Sequence, residues 1–158
     1  MSLILGTEYC KIDSNGRFKF PIAFKKQLGS NDCTFVIRQK FTGECLELWT
    51  ESSFQEEMDE LKKELNPRNT DDIRIMRQLT RVNVVPLDSN DRMLIPPERK
   101  STIGDAKEIV LQANGSFIEI WERSAYDKMN EEEMKDLVSI VNKRFARKHE
   151  LPSAGDAE

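Results

Sequence analysis

The sequence has few of the residues that metal sites and most active sites need. Among its 158 residues there is one histidine, His149, and there are three cysteines, Cys10, Cys33 and Cys45. The cysteines are widely spaced and form no Cys-x-x-Cys pair, so a zinc site and a disulfide framework both have little support. Three small buried or half-buried thiols are the simpler expectation. We therefore predict no metal and no other cofactor.

Long apolar runs and the usual signatures of catalysis are also absent. No stretch approaches the roughly 20 apolar residues of a membrane span, and residues 1–9 lack the layout of a signal peptide. The sequence has no glycine-rich phosphate loop and no histidine beside a nucleophile. We expect a cytoplasmic protein that is not an enzyme and has no membrane partner.

An overall excess of positive charge is lacking, since the formal net charge is −4. The distribution of charge nevertheless points to a nucleic-acid partner. The stretch Lys11 to Lys40 has seven basic residues against two acidic ones, whereas Glu51 to Leu65 has six acidic residues against two basic ones. A local basic surface can bind nucleic acid even when the whole chain is acidic. We therefore predict a basic first part followed by an acidic helix.

What the sequence does contain is one motif used twice. Residues 12–21 read Ile-Asp-Ser-Asn-Gly-Arg-Phe-Lys-Phe-Pro, and residues 87–96 read Leu-Asp-Ser-Asn-Asp-Arg-Met-Leu-Ile-Pro. The shared aspartate, serine, asparagine, arginine and proline lie 75 residues apart, and the similarity continues to Glu47-Leu48-Trp49 and Glu119-Ile120-Trp121. Such self-similarity indicates two copies of one small unit. Either copy alone would bury too little surface, so we expect a shared core.

Each motif begins with a predicted turn. Asp13 to Gly16 consists of turn-forming residues, and Gly16 can take a positive φ without a Cβ clash. In the second copy, Asn90 and Asp91 stand at this place, and these are the non-glycine residues that best tolerate a positive φ. The turn is therefore predicted in both copies, with more strain in the second.

A half-buried strand should follow each turn. Residues 17–20 alternate between polar and apolar, which places Phe18 and Phe20 in the core and leaves Arg17 and Lys19 outside. The second copy has Leu94 at the place of Lys19. The sequence therefore predicts that the second strand is covered on both faces, or covered by another subunit.

The remaining elements follow from hydrophobic period, caps and turn residues, and they predict an α+β fold that is mainly β. A short helix is expected after each motif, and hairpins are expected around Thr42-Gly43 and Asn114-Gly115. Thr50 and Thr70 are the predicted N-caps of helices at 51–65 and 71–80. A single C-terminal helix is predicted from the apolar stripe Met134, Leu137, Val138, Val141 and Phe145. Trp49 and Trp121 are expected to be paired core anchors.

The ordered pair of motifs, each followed by a short helix and a hairpin ending in Glu-Leu-Trp or Glu-Ile-Trp, resembles the MraZ family over about residues 6 to 145. The resemblance implies two tandem AbrB-type (SpoVT-AbrB) swapped-hairpin units that form a pseudo-twofold β-barrel with flanking helices. The implied boundaries are 6–52 and 81–124 for the two units, 53–80 for a helical connector, 125–150 for a C-terminal helix and 151–158 for a flexible tail.

The same resemblance implies a transcriptional regulator. Such a protein would bind double-stranded promoter DNA at direct repeats upstream of the division and cell-wall gene cluster, as a homo-oligomeric ring associated with the nucleoid. An rRNA methyltransferase encoded in the same cluster is a further implied partner. The family's DNA-contacting arginine falls on Arg17. Two departures from the family's pattern bear on binding: Asn15 stands where a lysine is common, and Asp91 where a glycine is usual.

The residues themselves leave alternatives open for the candidate contacts. Arg17 suits bidentate recognition of guanine from a ribbon that enters the major groove, or it caps its turn by pairing with Asp13. For Arg92 beside Asp88, the structural role is favoured. Lysines on the short helix either bind phosphate or form a solvated face. The full predicted DNA-binding set is Arg17, Lys19, Lys25, Lys26, Asn15, Arg38 and Arg92.

Two other functions are compatible with the sequence. The first is an oligomeric protein-interaction module that sequesters a partner enzyme on the acidic helix from Glu51 to Leu65. The second is an AbrB-type antitoxin, which would require a toxin gene next to its own and normally has a single motif copy.

Overall fold

A computed structural model of the chain, which describes residues 3–29 and 31–149, has an α+β fold. It divides into two compact units, the first ending at Arg123 and the second beginning at Ser124. The elements of the first unit are, in chain order, β1 (Thr7–Lys11), β2 (Arg17–Lys19), α1 (Ile22–Lys25), β3 (Thr34–Gln39), β4 (Leu46–Thr50), α2 (Glu51–Glu64), α3 (Thr70–Leu79), β5 (Asn83–Pro86), β6 (Arg92–Leu94), a 3₁₀ turn (Pro97–Arg99), α4 (Lys100–Ile103), β7 (Glu108–Ala113) and β8 (Ile118–Glu122). They are followed by α5 (Arg123–Met134) and α6 (Leu137–His149).

The strands pair across the two sequence copies. A six-stranded antiparallel sheet has the order β1-β7-β8-β4-β3-β5, so the first strand of each copy pairs with the third strand of the other. At the centre of the sheet, Glu47 lies opposite Glu119, its own counterpart in the repeat. A two-stranded ribbon, β2-β6, likewise places Phe18 opposite its counterpart Met93. If the two copies are exchanged, each of these strand pairings is therefore replaced by an equivalent one.

One apolar core lies between the sheet and the ribbon. Phe18, Phe20, Met93 and Ile95 are fully buried and belong to the same cluster as residues on the inner face of the sheet. Both copies contribute to this cluster, as the shared-core prediction requires. Within the described residues the strands form the open sheet and the separate ribbon, and the predicted closed barrel is not found.

One of the two predicted helix N-caps is confirmed and the other is shifted by one residue. Thr50 caps α2 as expected, because its Oγ1 accepts a hydrogen bond from the Ser53 amide at 3.1 Å. The cap of α3 is Asn69 and not Thr70, since Asn69 Oδ1 accepts from the Asp72 amide at 3.0 Å. Asparagine is the better N-cap of the two residues, which accounts for the shift by one position.

The C-terminal stripe corrects a second prediction. The single helix predicted there is two helices in the structure, because α5 ends at Met134 and α6 starts at Leu137. The apolar stripe is exposed along both helices, and Val138 reaches 73% exposure. In the part of the chain that the structure describes, no helix combines the length and apolar character that crossing a membrane requires.

Candidate nucleic-acid interface

The outer face of the β2-β6 ribbon carries the predicted contacts from both motifs. Because side chains alternate along a strand, burying Phe18 and Met93 turns Arg17, Lys19 and Arg92 to the outside. The pairing register places Lys19 directly opposite Arg92. The two motif arginines, 75 residues apart in the sequence, therefore lie on one small surface.

Leu94 is the fourth residue of this outer face, directly opposite Arg17. It is 37% exposed within the chain, which corrects the expectation that β6 is covered on both of its faces. The ribbon thus has a basic outer surface with one apolar side chain. Cover by another subunit remains a prediction.

The turns that precede β2 and β6 are held by aspartate side chains. Asp13 Oδ1 accepts hydrogen bonds from the amides of Asn15 and Arg17, both at 2.9 Å. Asp88 Oδ1 accepts in the same way from the amides of Asn90 and Arg92, at 2.8 and 2.9 Å. In each motif the aspartate therefore binds the backbone of its arginine, and the turn does not require the guanidinium group.

These hydrogen bonds also set the ionisation of the turn carboxylates. Donation from the Arg17 amide, followed by the Asn15 amide and the charge of Arg92, lowers the pKa of Asp13 below its ordinary value of 3.8. The Arg92 amide is the main cause of a similar lowering of the pKa of Asp88. Both turns are therefore held by charged carboxylates at neutral pH.

The positive backbone angles fall where the turn chemistry predicts them. Gly16 has φ of 84°, and Asp91, at the same place in the second copy, has φ of 61°. Asp91 is the one residue other than glycine with a positive φ among those described. The second turn thus has the predicted shape, and it places a carboxylate where the first turn has no side chain.

The guanidinium groups are only weakly constrained by acids. Arg92 Nη1 lies 4.0 Å from Asp13 Oδ2, and the Arg92 side chain is 46% exposed. Arg17 and Lys19 are exposed, and neither has an ion pair within the described residues. The face thus sets like charges directly opposite each other, an arrangement that is destabilising without a bound anion.

The lysines of α1 differ from each other in their surroundings. Lys25 Nζ lies 2.5 Å from Asp91 Oδ1, so this lysine is ion-paired to the second turn. Lys26 is exposed and lacks an ion pair in the described part of the chain. Lys100, on α4, occupies the place of Lys25 in the second copy and lies against the first turn. The predicted DNA-binding set lacks Lys100, although its position 75 residues after Lys25 is a signal in the sequence.

Arg38 does not lie on the basic surface, which corrects its predicted place there. Its side chain is buried, with Nε donating to Glu47 Oε1 at 2.8 Å and Nη1 donating to the Leu79 carbonyl at 3.0 Å. Its guanidinium also lies 5.4 Å from the ring centres of Trp49 and Phe54. Arg38 therefore joins β3 to the helical segment, because it sits on an inner strand and not at the edge of the sheet.

Both tryptophans are buried, as predicted, but they lie outside the main core cluster, and Trp49 stacks on Phe117. Trp49 Nε1 donates to Glu47 at 3.2 Å, and Trp121 Nε1 donates to Glu119 at 3.0 Å. Each copy thus uses the same Glu-x-Trp pair, in which the indole N–H is satisfied by the carboxylate two residues earlier.

The cysteines differ in exposure, which corrects the prediction that all three are buried or half-buried. Cys45 is buried and Cys10 is half-buried, but Cys33 is exposed. Burial is the main cause that raises the pKa of Cys10 to about 11 and that of Cys45 to about 12. Residues 3–29 and 31–149 contain no cluster of three or more histidine, cysteine or acidic residues suited to a metal ion.

Comparison with known proteins identifies a family over most of the chain. The family model described as "MraZ protein, putative antitoxin-like" matches residues 3–77 and again residues 80–148. The two matches correspond to the two sequence copies.

Individual relatives agree with this match. A protein of Christiangramia forsetii named "Transcriptional regulator MraZ" is 34% identical over 145 residues, which cover 87% of this chain and 90% of the relative. A protein of the same name from Flavobacterium psychrophilum is 33% identical and covers 89% of this chain and 90% of its own length. A third, from Bacteroides fragilis, is 33% identical over 132 residues, 82% of this chain and 83% of the relative.

Proposed function

The chain belongs to the MraZ family, and from that membership we propose that it is a sequence-specific DNA-binding transcriptional regulator that acts in the cytoplasm on nucleoid DNA. Its relatives carry the name transcriptional regulator. The observation that carries the proposal is the outer face of the β2-β6 ribbon. Three exposed cations project there from two paired strands, and a two-stranded ribbon is small enough to enter the major groove.

The residues divide into two roles under this proposal. Arg17 reads base edges, because its planar guanidinium can bind guanine through two hydrogen bonds. Lys19 and Arg92 bind the phosphates on either side, which relieves the repulsion between these two opposed cations. Asn15, at the exposed tip of the first turn, and Lys26, at the end of α1, extend the contact to the neighbouring backbone. Arg38 is left out because it is buried.

The finer features of the regulator also belong to the proposal. The exchange-symmetric strand register supports two swapped-hairpin units related by a pseudo-twofold axis. Copies of the chain assemble into a ring, so that several ribbons meet direct repeats upstream of the division and cell-wall genes. Contacts that are weak singly then add through effective concentration. Multivalent binding lets a chain with a net charge of −4 hold DNA against long-range repulsion.

The first experiment compares wild type, Arg17→Ala and Arg74→Ala on the protein's own promoter DNA by mobility shift. Arg74 is the matched control, because it is an exposed arginine on α3 whose side chain is 73% accessible. We expect Arg17→Ala to weaken specific binding about 5- to 150-fold, the equivalent of about 1–3 kcal/mol for a bidentate base contact. Arg74→Ala should bind as wild type does. Equal affinity of Arg17→Ala and wild type would remove Arg17 as the reader.

A second candidate function is sequestration of a partner protein by the helical segment. It is favoured by a largely apolar groove of about 710 Å³ between α2 and α3, lined by Met58, Leu65, Ile73 and Met76. Pull-down from nuclease-treated extract distinguishes the two functions, since sequestration requires a stoichiometric protein partner that survives removal of nucleic acid. An rRNA methyltransferase is the partner to test first.

A further inference from the structure

The two turns of the ribbon occupy equivalent places in the fold, but the charges of the lysines beside them differ. Beside the first turn lies a cleft of about 680 Å³ whose lining includes Lys11, Lys100 and Lys107. Lys100 lies directly over the turn, because its Nζ is 2.9 Å from the position that a Cβ on Gly16 would occupy. None of the three lysines has an ion pair within the described residues, although Asp13, Asp105 and Glu108 share the lining.

Beside the second turn, the equivalent lysine is already neutralised. Lys25 holds the place of Lys100, and Asp91 holds the place of Gly16, with Nζ and Oδ1 2.5 Å apart. The repeat places Pro86 and Cys33 where the first site has Lys11 and Lys107. The second site therefore has one cation instead of three, and a carboxylate of the same chain occupies that cation.

We infer that the cleft beside the first turn is a binding site for a DNA backbone phosphate, with Lys100 as its main cation, and that Asp91 closes the equivalent second site by holding Lys25. This inference rests on the proposed function. The Asp91 carboxylate neutralises the charge of the Lys25 ammonium group and would repel a phosphate brought to the same place, so Lys25 offers a phosphate little net attraction. The ribbon then has one end that binds phosphate and one that does not. A pseudo-symmetric ribbon with unlike ends binds DNA in a single orientation.

The test measures DNA affinity between 50 and 200 mM salt for Lys100→Ala, Lys25→Ala and Asp91→Asn. Each phosphate contact contributes about 0.9 to the slope of log K against log salt, or about 3.5-fold in affinity over this range. Lys100→Ala should reduce the slope by about 0.9 and weaken all sequences alike. Lys25→Ala should leave the slope unchanged. Asp91→Asn keeps the size of the side chain but removes its charge, and it should increase the slope by about 0.9.

A reciprocal pair of variants controls for backbone strain. Gly16→Asp places a carboxylate beside Lys100, whereas Gly16→Asn imposes the same strain at positive φ without the charge. We expect Gly16→Asp to lose the contribution of Lys100 to the salt slope and Gly16→Asn to retain it. Equal slopes for these two variants would overturn the assignment of Lys100.

A measurement without DNA tests the Lys25 half independently. Acylation of lysine amines, followed by mass spectrometry, should show that Lys25 reacts more slowly than Lys26 in the wild type. Lys25 should react faster in Asp91→Asn than in the wild type, whereas the reaction rate of Lys100 should not change. If Lys25→Ala lowers the salt slope as much as Lys100→Ala does, the inference is wrong while the proposed function stands. If the wild type binds no promoter DNA, the phosphate site and the proposed function both fail.

Discussion

At the scale of single residues, the turn aspartates hold the backbone of each turn, so the side chains of the motif arginines are not needed for that purpose. Asp13 and Asp88 each bind two backbone amides, so the turn is fixed without the side chain of the motif arginine. Arg17 can then reach outward, because no ion pair within its own motif, residues 12–21, holds its guanidinium. A pairing of aspartate and arginine side chains, which the sequence also allowed, would have made the same arginine structural.

The ionisation of these aspartates predicts an acid limit to stability. Their pKa values are lower in the folded chain than the ordinary value of 3.8, chiefly through the Arg17 and Arg92 amides. Their contribution to stability is therefore complete above pH 3.8 and is lost as the pH falls through the lower folded values. The variant with both Asp13→Asn and Asp88→Asn should show a shallower loss of unfolding free energy between about pH 5 and pH 2. Urea denaturation at a series of pH values tests this. Identical pH profiles for variant and wild type would contradict it.

At the scale of elements, the ribbon and the helices are positioned by different devices. The ribbon depends on alternation, which buries Phe18 and Met93 and thereby exposes the cations beside them. The helices α2 and α3 depend on side-chain caps. Thr50 is the last residue of β4 and the N-cap of α2, and it is buried, so one residue joins the sheet to the acidic helix.

Removal of the α2 cap should therefore be measurable. Thr50→Ala deletes the acceptor for the Ser53 amide, and we expect a loss of about 1 kcal/mol in the free energy of unfolding. Thr50→Ser retains the hydroxyl and is the matched control, with a smaller loss from the missing methyl group. Chemical denaturation followed by circular dichroism provides both values. An alanine variant no less stable than the serine variant would show that the cap is unimportant.

At the scale of the whole molecule, the two copies depend on one core. Phe18 of the first copy lies opposite Met93 of the second, and the first strand of each copy pairs with the third strand of the other. Most of the sheet contacts of a copy are therefore contacts with its counterpart. Neither copy has a complete sheet of its own, so we expect the first unit of the chain to unfold as a single cooperative structure.

This cooperativity can be tested with one tryptophan in each copy. Phe18→Ala removes a fully buried ring and should lower the unfolding free energy by about 3–5 kcal/mol. Fluorescence of Trp49, measured in a Trp121→Phe background, and of Trp121, measured in a Trp49→Phe background, should report the same decrease. A decrease seen by Trp49 alone would mean that the copies unfold separately.

The parts predicted correctly are those controlled by neighbours in the chain. The turns with positive φ, the alternation of β2, the Thr50 cap and the glycine hairpins all follow from local sterics and hydrogen bonding. The shifted cap of α3 also has a local reason, because Asn69 is a better cap than Thr70.

The sequence by itself determined that one unit occurs twice, that its leading turn carries an outward arginine, and that the acids lie in a separate helix, because spacing and periodicity record these properties. Only the tertiary structure decided which copy supplies each neighbour. The strand exchange brings Arg92 to Lys19, Asp91 to Lys25 and Lys100 to Gly16. The β3-β4 hairpin, within the first copy, pairs Arg38 with Glu47. The partners from different copies lie more than sixty residues apart in the sequence. Charges at such separations interact only after packing has closed the distance.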